Sequence, residues 1–254
     1  MGSGSATAAL QVAAAAGVVL LQSGADVARV EDTVSRILRA YGVGEPEIYA
    51  TPTGIFISVA DQEATVVRRV RSRTIALDRV SAVNALSRSL TADPKDPAEA
   101  LRLIRAIGEQ PPPFPRWLDV PASGLAAAAC TMLVGGSLAG VLPAFLANLV
   151  VQAGERICRW LGLPDAVADL ISGANAVFCA TLLHRWLGVP VGPVVAGGIM
   201  ILVPGIAFTN ALRDAIAGDL VSATARGLEA FVKVTALAAG VGAALYLVGG
   251  GGVL

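Results

Sequence analysis

From residue 119 onward the chain carries five apolar segments, at about 119–135, 137–154, 165–187, 190–210 and 222–248, each near the length that crosses a bilayer. A span takes roughly 17 to 25 apolar residues, because a helix must traverse about 30 Å of hydrocarbon. Only helices that satisfy their own backbone groups, or closed barrels, survive there. The segments are rich in small residues, among them Ala126 to Ala129, Gly135, Gly136, Gly140, Gly173, Gly192, Gly197, Gly198, Gly240 and Gly242. Such residues let helix backbones approach closely in lipid. With 55% hydrophobic and 15% charged residues and a mean hydropathy of +0.68, the composition is that of a membrane protein.

The charges divide the chain near residue 116. Thirteen of the 19 Lys and Arg lie at or before Arg116, and 12 of the 19 acids precede Trp117. The first 110 residues therefore read as a small soluble α+β domain, 111–118 as a proline-rich linker and 119–254 as a transmembrane helical domain. Within the first part, residues 6 to 41 predict two helices broken at Ser23-Gly24. In the second of them, Val27, Val30, Val34, Ile37 and Leu38 share one face, with Arg29, Asp32, Arg36 and Arg39 mostly opposite. Glu47–Thr51 and Ile55–Val59, joined through Pro52-Thr-Gly54, predict a strand pair, and Thr65–Arg71 a third strand. Helices resume over 77–90 and 97–107. Pro111-Pro-Pro-Phe-Pro115 cannot continue a helix and marks the boundary.

Several function classes are disfavoured at this level. Net charge is zero and no basic run is interleaved with aromatics, so nothing points to nucleic acid. Cys130, Cys158 and Cys179 are isolated and His184 is the single histidine, so neither a disulfide framework nor a metal centre is expected, and no cofactor is implied. No G-x-x-x-x-G-K-[ST] loop occurs. The alanine-rich start, Ala6 to Leu21, has the hydrophobicity of a signal-peptide core but no basic residue before it and no clear cleavage site, and is expected to stay in the mature protein. With the first part cytoplasmic, Arg156, Arg159, Arg213 and Arg226 fall inside, Arg185 and His184 outside, and the uncharged tail Gly249 to Leu254 ends outside.

Three groups of residues are candidates for chemistry. The first is Pro204, Gly205, Thr209, Asn210, Arg213, Asp214 and Asp219. Proline and glycine break the helix at membrane depth, and broken helices there hold solutes in transporters. If helix resumes after Gly205, Thr209 with Arg213 and Asn210 with Asp214 form two adjacent polar rows. Arg213 and the N–H groups at the half-helix start would meet a carboxylate. The alternative is that Pro204 merely ends a span and Arg213 to Asp219 form a hydrated turn. The second group is Asp169, Ser172 and Asn175 on one side of the third span, lining a polar path or acting as interhelical glue, the packing role being favoured for Ser172. The third comprises Ser23, Gly24, Asp26, Arg29 and Glu31, with Thr53 from Thr51-Pro-Thr-Gly54. There Ser23 and Asp26 resemble a helix cap, and Arg29 is expected to pair locally with Glu31, Asp32 or Thr33. A hydrolase centred on residues 23 to 61 would need a base, and His184 lies far away in the sequence.

Three blocks taken together, Gln22-Ser-Gly-Ala-Asp-Val-Ala-Arg-Val-Glu-Asp32, Thr51-Pro-Thr-Gly-Ile55 and Leu202-Val-Pro-Gly-Ile-Ala-Phe-Thr-Asn-Ala-Leu-Arg-Asp-Ala-Ile-Ala-Gly-Asp219, resemble the threonine/serine exporter family. The likeness extends over nearly the whole chain from about residue 10. Gln22 departs from it, since an acidic residue is expected there in many members. The resemblance implies a multi-pass exporter of the bacterial inner membrane with a cytoplasmic N-terminal domain. It implies a small membrane subunit as partner, a homo- or hetero-oligomer in contact with lipid, and threonine, serine or a dicarboxylate such as succinate as substrate. Export would draw on the proton gradient, with Asp219 or Asp169 serving protons. A membrane-anchored hydrolase and a regulatory or assembly subunit stand as the alternatives.

Overall fold

In a computed structural model, residues 3–59 and 64–249 are described, and they form two units. Of the described residues, one comprises those up to 113 together with 206–227, the other 114–205 together with 228–249. The tail after Gly249 lies outside the described residues.

The first unit is built around helix α1, Ser3–Gln22. Its Leu10, Val12, Ala13, Ala14, Ala16, Leu20 and Leu21 are all buried. A helix apolar on every side belongs inside a core, and here the alanine-rich start is that core helix. Gly17 marks a close approach: a Cβ there would lie 2.7 Å from Ile55 Cδ1. Helix α2, Val27–Ala40, buries Val27, Val30, Val34, Ile37 and Leu38, the apolar face expected from spacing. Three strands follow, β1 Pro46–Thr51, β2 Gly54–Val59 and β3 Ala64–Arg69, in an antiparallel meander of order β1-β2-β3. Thr51 pairs with Gly54, so Pro52 and Thr53 form a two-residue turn. Ile55, Ile57 and Val59 point into the core by strand alternation. Helices α3, Leu77–Ala92, and α4, Pro97–Glu109, complete the layer, α4 capped by Asp96, whose carboxylate accepts from Ala98 N.

The second unit contains α5, Arg116–Leu133; α6, Val141–Trp160, led in by a short 3-10 turn; α7, Asp165–Leu187; and α8, Val191–Met200. Helix α9, Gly205–Ile216, lies in the first unit apart from its first residue, whereas α10, Leu220–Gly249, contributes its first eight residues to the first unit and the rest to the second. Against the five spans expected from sequence, three described helices are long and apolar enough to cross a membrane: Leu138–Trp160, Asp165–Leu187 and Leu220–Gly249. The broken pair α8 and α9 raises the number to four if taken as one span. Helix α5 falls short by length, its apolar stretch being Trp117–Leu133 among the described residues. The outer surfaces of these helices are apolar, with Leu125, Leu142, Phe178, Leu182 and Phe231 exposed, as a lipid-facing surface requires.

Glycine sets how closely α7 and the second-unit part of α10 meet. A Cβ on Gly240 would fall 1.9 Å from Leu170 O, and one on Gly173 would fall 2.4 Å from Leu237 O. Backbone, not a flexible side chain, is the obstacle in both cases. Gly240→Val is therefore expected to cost about 1–3 kcal/mol or more through overpacking. Thermal unfolding of the purified protein in detergent checks this, and an unchanged midpoint would contradict the crossing.

Candidate functional site

The site begins where α1 stops. Ala25 N donates to Leu20 O and Gly24 N to Leu21 O, the Schellman arrangement, with Gly24 at φ +83° in the left-handed region that glycine enters without a Cβ penalty. The chain turns at once into α2, whose N-cap is Asp26, accepting from Arg29 N at 3.0 Å. Residues Ser23 to Val27 thus form a tight turn that leaves the Gly24 and Ala25 carbonyls and the Val27 N–H to find partners outside their own helices.

Those partners come from 186 to 201 residues further along the chain. Asn210 Nδ2 donates to Gly24 O at 2.9 Å, and Arg226 Nη2 donates to Ala25 O at 2.8 Å. Arg213 Nη1 donates to Asp26 Oδ2 at 3.2 Å, and Asp214 Oδ1 accepts from Val27 N at 3.2 Å. Four consecutive residues, 24 to 27, are each held by one side chain of α9 or early α10. Two carboxylates, Asp26 and Asp214, sit at the positive end of the α2 dipole. Arg226 Nε lies 3.2 Å from Asp214 Oδ2, in an ion pair whose side chains are 7% and 1% exposed. A pair so desolvated survives only when its remaining polar groups are hydrogen-bonded, and Ala25 O and Val27 N supply those bonds.

Local sequence explains how α9 and α10 present these groups. Asn210, Arg213 and Asp214 are spaced at three, one and four residues, so they share one face of α9. Gly218, at φ +89°, ends the helix with Gly218 N bonded to Ala215 O and Asp219 N to Asp214 O. Asp219 then caps α10, its Oδ1 accepting from Ser222 N at 3.2 Å. The Gly-Asp pair is a stop followed by a start, and it brings Arg226 back onto Asp214.

Charge around the turn is balanced unevenly. Burial raises the Asp26 carboxyl, but hydrogen bonds from Arg29 N, the Arg29 guanidinium and Arg213 outweigh it and hold the group below its ordinary value. Arg29 pairs with Asp26 at 3.2 Å, in place of the expected Glu31, Asp32 or Thr33, because the cap places that carboxylate over the first turn. Glu31 instead reaches the sheet, accepting from Ala50 N at 2.9 Å. Burial and the repulsion of Asp219 and Asp214 lift its carboxyl above the ordinary value in spite of that bond.

The remaining candidates fall elsewhere. Ser23 is buried, and its hydroxyl has no hydrogen-bond partner among the described residues. Thr53 lies in the β1-β2 turn, its hydroxyl 3.2 Å from that of Thr51. Thr209 is exposed on α9, and Gly205 begins that helix after a break at 201–204 that ends on Pro204. In the second unit, Asp169 is buried 3.5 Å from Lys233 Nζ, Ser172 is fully buried, and Asn175 Nδ2 occupies the space beside Gly154 that a Cβ would fill. Asn148, also buried there, donates to Gly198 O at 3.1 Å and accepts from Ser123 and Gln152. Arg226, Lys233 and Asn148 are not among the candidates that the residue pattern offers. Arg226 and Lys233 carried a usable signal, being charges within an otherwise apolar segment, where ionisable groups are costly and seek partners.

A family model described as "Putative threonine/serine exporter" matches residues 11–248. The chain is 26% identical over 228 residues to a "Probable threonine/serine exporter" of Mycobacterium tuberculosis, covering 88% of this chain and 43% of that protein. It is 24% identical to a "Threonine/serine exporter" of Corynebacterium glutamicum, covering 94% of this chain and 51% of that one. It thus spans about half the length of these two relatives. Against a "Probable succinate transporter subunit YjjP" of Klebsiella aerogenes it is 26% identical, with 91% and 90% of the two chains covered. No solved structure matches it at a significant level.

Removing one member of the buried pair leaves a charge without its counter-ion, so Arg226→Ala is expected to destabilise the protein by about 3–5 kcal/mol. Thermal unfolding of Arg226→Ala, Asp214→Asn and the double variant tests this, and fully additive losses would show that the two groups do not interact. Glu31→Gln keeps an acceptor for Ala50 N while removing a charge that folding disfavours. Because the folded carboxyl titrates above the unfolded one, the destabilisation exists above the folded value and vanishes below the unfolded one. Glu31→Gln should accordingly raise the unfolding midpoint at neutral pH and lose that advantage on acidification through the carboxylate range.

Proposed function

The chain belongs to the threonine/serine exporter family, and from that premise we propose that it is a subunit of a bacterial inner-membrane exporter of small carboxylates, threonine and serine or a dicarboxylate such as succinate. The dicarboxylate possibility is supported by the near full-length match to the succinate transporter subunit, and the amino-acid possibility by the two exporters. In this proposal a small membrane subunit of the same family acts beside it, in keeping with the word subunit in the name of the near full-length relative. The N-terminal part, residues 1–110, is cytoplasmic in this proposal, as the distribution of arginines favours.

The observation that carries the mechanism is the grip of residues 210–226 on residues 24–27. Within it, Asp26 is 7% exposed while Arg213 is 54% exposed, so Arg213 is the member that a solute can reach. A carboxylate arriving there would compete with Asp26 for the same guanidinium, whose planar fork suits acid groups. Exchanging one acid for the other would loosen or tighten α9 on the turn, a two-state element of the kind that switching proteins use. Thr209, Asn210 and Asp214 complete the proposed solute group in the first unit, and Pro204, Gly205 and Asn175 line the solute path in the second. Proton coupling is assigned to Asp169, whose partner Lys233 lets it exchange a proton without stranding a buried charge, and to Asp219.

Efflux of labelled threonine and succinate from cells producing this chain with its small partner tests the proposal. Arg213→Ala is expected to lower efflux at least tenfold with an unchanged amount of protein in the membrane. Asp169→Asn is expected to make any remaining efflux insensitive to collapse of the proton gradient. Undiminished efflux in Arg213→Ala would overturn the assignment.

A further inference from the structure

A cleft of about 300 Å³ in the first unit is lined by Asp26, Arg29, Asp32, Arg36, Asn84 and Arg88. It follows from two rows of side chains: residues 29, 32 and 36 at spacings of three and four on α2, and residues 84 and 88 at four on α3. Thr33 joins the rows, its hydroxyl donating to Asn84 Oδ1 at 3.1 Å. That bond uses the oxygen of the Asn84 amide and leaves the NH₂ group available to donate.

The charge inside is not balanced. Arg29 is held by Asp26, and Arg36 by Asp32 one turn away, so the two acids of the cleft are already matched. Arg88 is the third guanidinium, exposed on α3 and without a hydrogen bond or ion pair among the described residues. Three guanidinium groups against two carboxylates leave a surplus positive charge beside a vacant amide donor. A fork of N–H groups flanked by a further donor is suited to a carboxylate, and the surplus favours a net anion over a zwitterion.

We propose that this cleft is a binding site for a small anionic carboxylate, clamped by Arg88 with Asn84 and faced by Arg29 and Arg36. The site adjoins the solute group around Arg213, sharing Asp26 with it, but its clamp, Arg88 with Asn84, lies outside that group, and it stands whether or not that group carries export. Its ligand is compact, on the order of a four-carbon dicarboxylate, since the cleft is small and open to solvent.

Equilibrium dialysis of the purified full chain in detergent with labelled succinate, threonine and inorganic phosphate tests it. Succinate is expected to bind saturably, at least tenfold more tightly than threonine or phosphate. Arg88→Ala is expected to weaken succinate binding at least tenfold, and Arg88→Lys to recover part of it, because an ammonium keeps the charge but not the fork. Arg102→Ala, an exposed arginine outside the cleft, serves as the control and should bind as the unaltered protein does. The proposal is overturned if Arg88→Ala binds normally, if no saturable succinate binding occurs, or if phosphate or threonine binds as well as succinate. Loss of binding in Arg213→Ala with retention in Arg88→Ala would place the ligand at the solute group instead, and would equally overturn it. Arg88 lies on the surface of α3, so its variants are expected to fold, and an unchanged unfolding midpoint verifies that.

Discussion

The buried ion pair of Asp214 and Arg226 is the constraint on which the first unit's architecture turns. Neither group tolerates removal from water alone, and each also satisfies a backbone group of the turn between α1 and α2. The turn needs them as much as they need it, because Ala25 O and Val27 N lie at the ends of helices that cannot bond them internally. A short, specific segment more than 180 residues away in sequence is thereby fixed to the N-terminal helices. Asn210 and Arg213 extend the same contact on either side, so the Pro-Gly to Gly-Asp block and the Ser-Gly-Ala-Asp-Val turn are two halves of one structural element.

The second unit solves a different problem. Its helices have little to gain from apolar burial against one another when lipid is the alternative, so they meet through glycine and through polar side chains. Gly173 and Gly240 bring α7 and α10 to backbone contact, and Gly197 does the same beside Thr131. Asn148, bonded to Gly198 O and contacted by Ser123 and Gln152, gathers the amide and hydroxyl groups of α5, α6 and α8. Lys233 reaches Asp169 across the same unit. Polar groups that would be costly in hydrocarbon are concentrated in a few mutual contacts, which is also where an exporter would keep the groups that handle its solute.

Much of the N-terminal unit could be read from residues alone. The three-four spacing of Val27, Val30, Val34, Ile37 and Leu38 identified the buried face of α2, and the Pro-Thr-Gly stretch identified the β1-β2 turn. The cap was only partly legible: Ser23 and Asp26 together resembled one, and the structure gives the role to Asp26 alone, with the Ser23 hydroxyl lacking a hydrogen-bond partner among the described residues. Less legible was Ala6 to Leu21, whose uniform hydrophobicity fits a signal core, a span or a core helix equally, and only its surroundings distinguish them.

Sequence by itself determined the amphipathic α2, the antiparallel strands, the helix break at Pro204 and the family likeness. These depend on local periodicity, on backbone chemistry and on residues adjacent in the chain. Tertiary structure decided which partner each polar group takes. Arg29 chose Asp26 over the expected Glu31, Asp32 or Thr33, Arg226 paired from within an apolar segment with Asp214, and Asn210, Arg213 and Asp214 closed on residues 24 to 27. Such choices turn on desolvation and on distances between elements far apart in the chain, and neither quantity exists until the chain has folded.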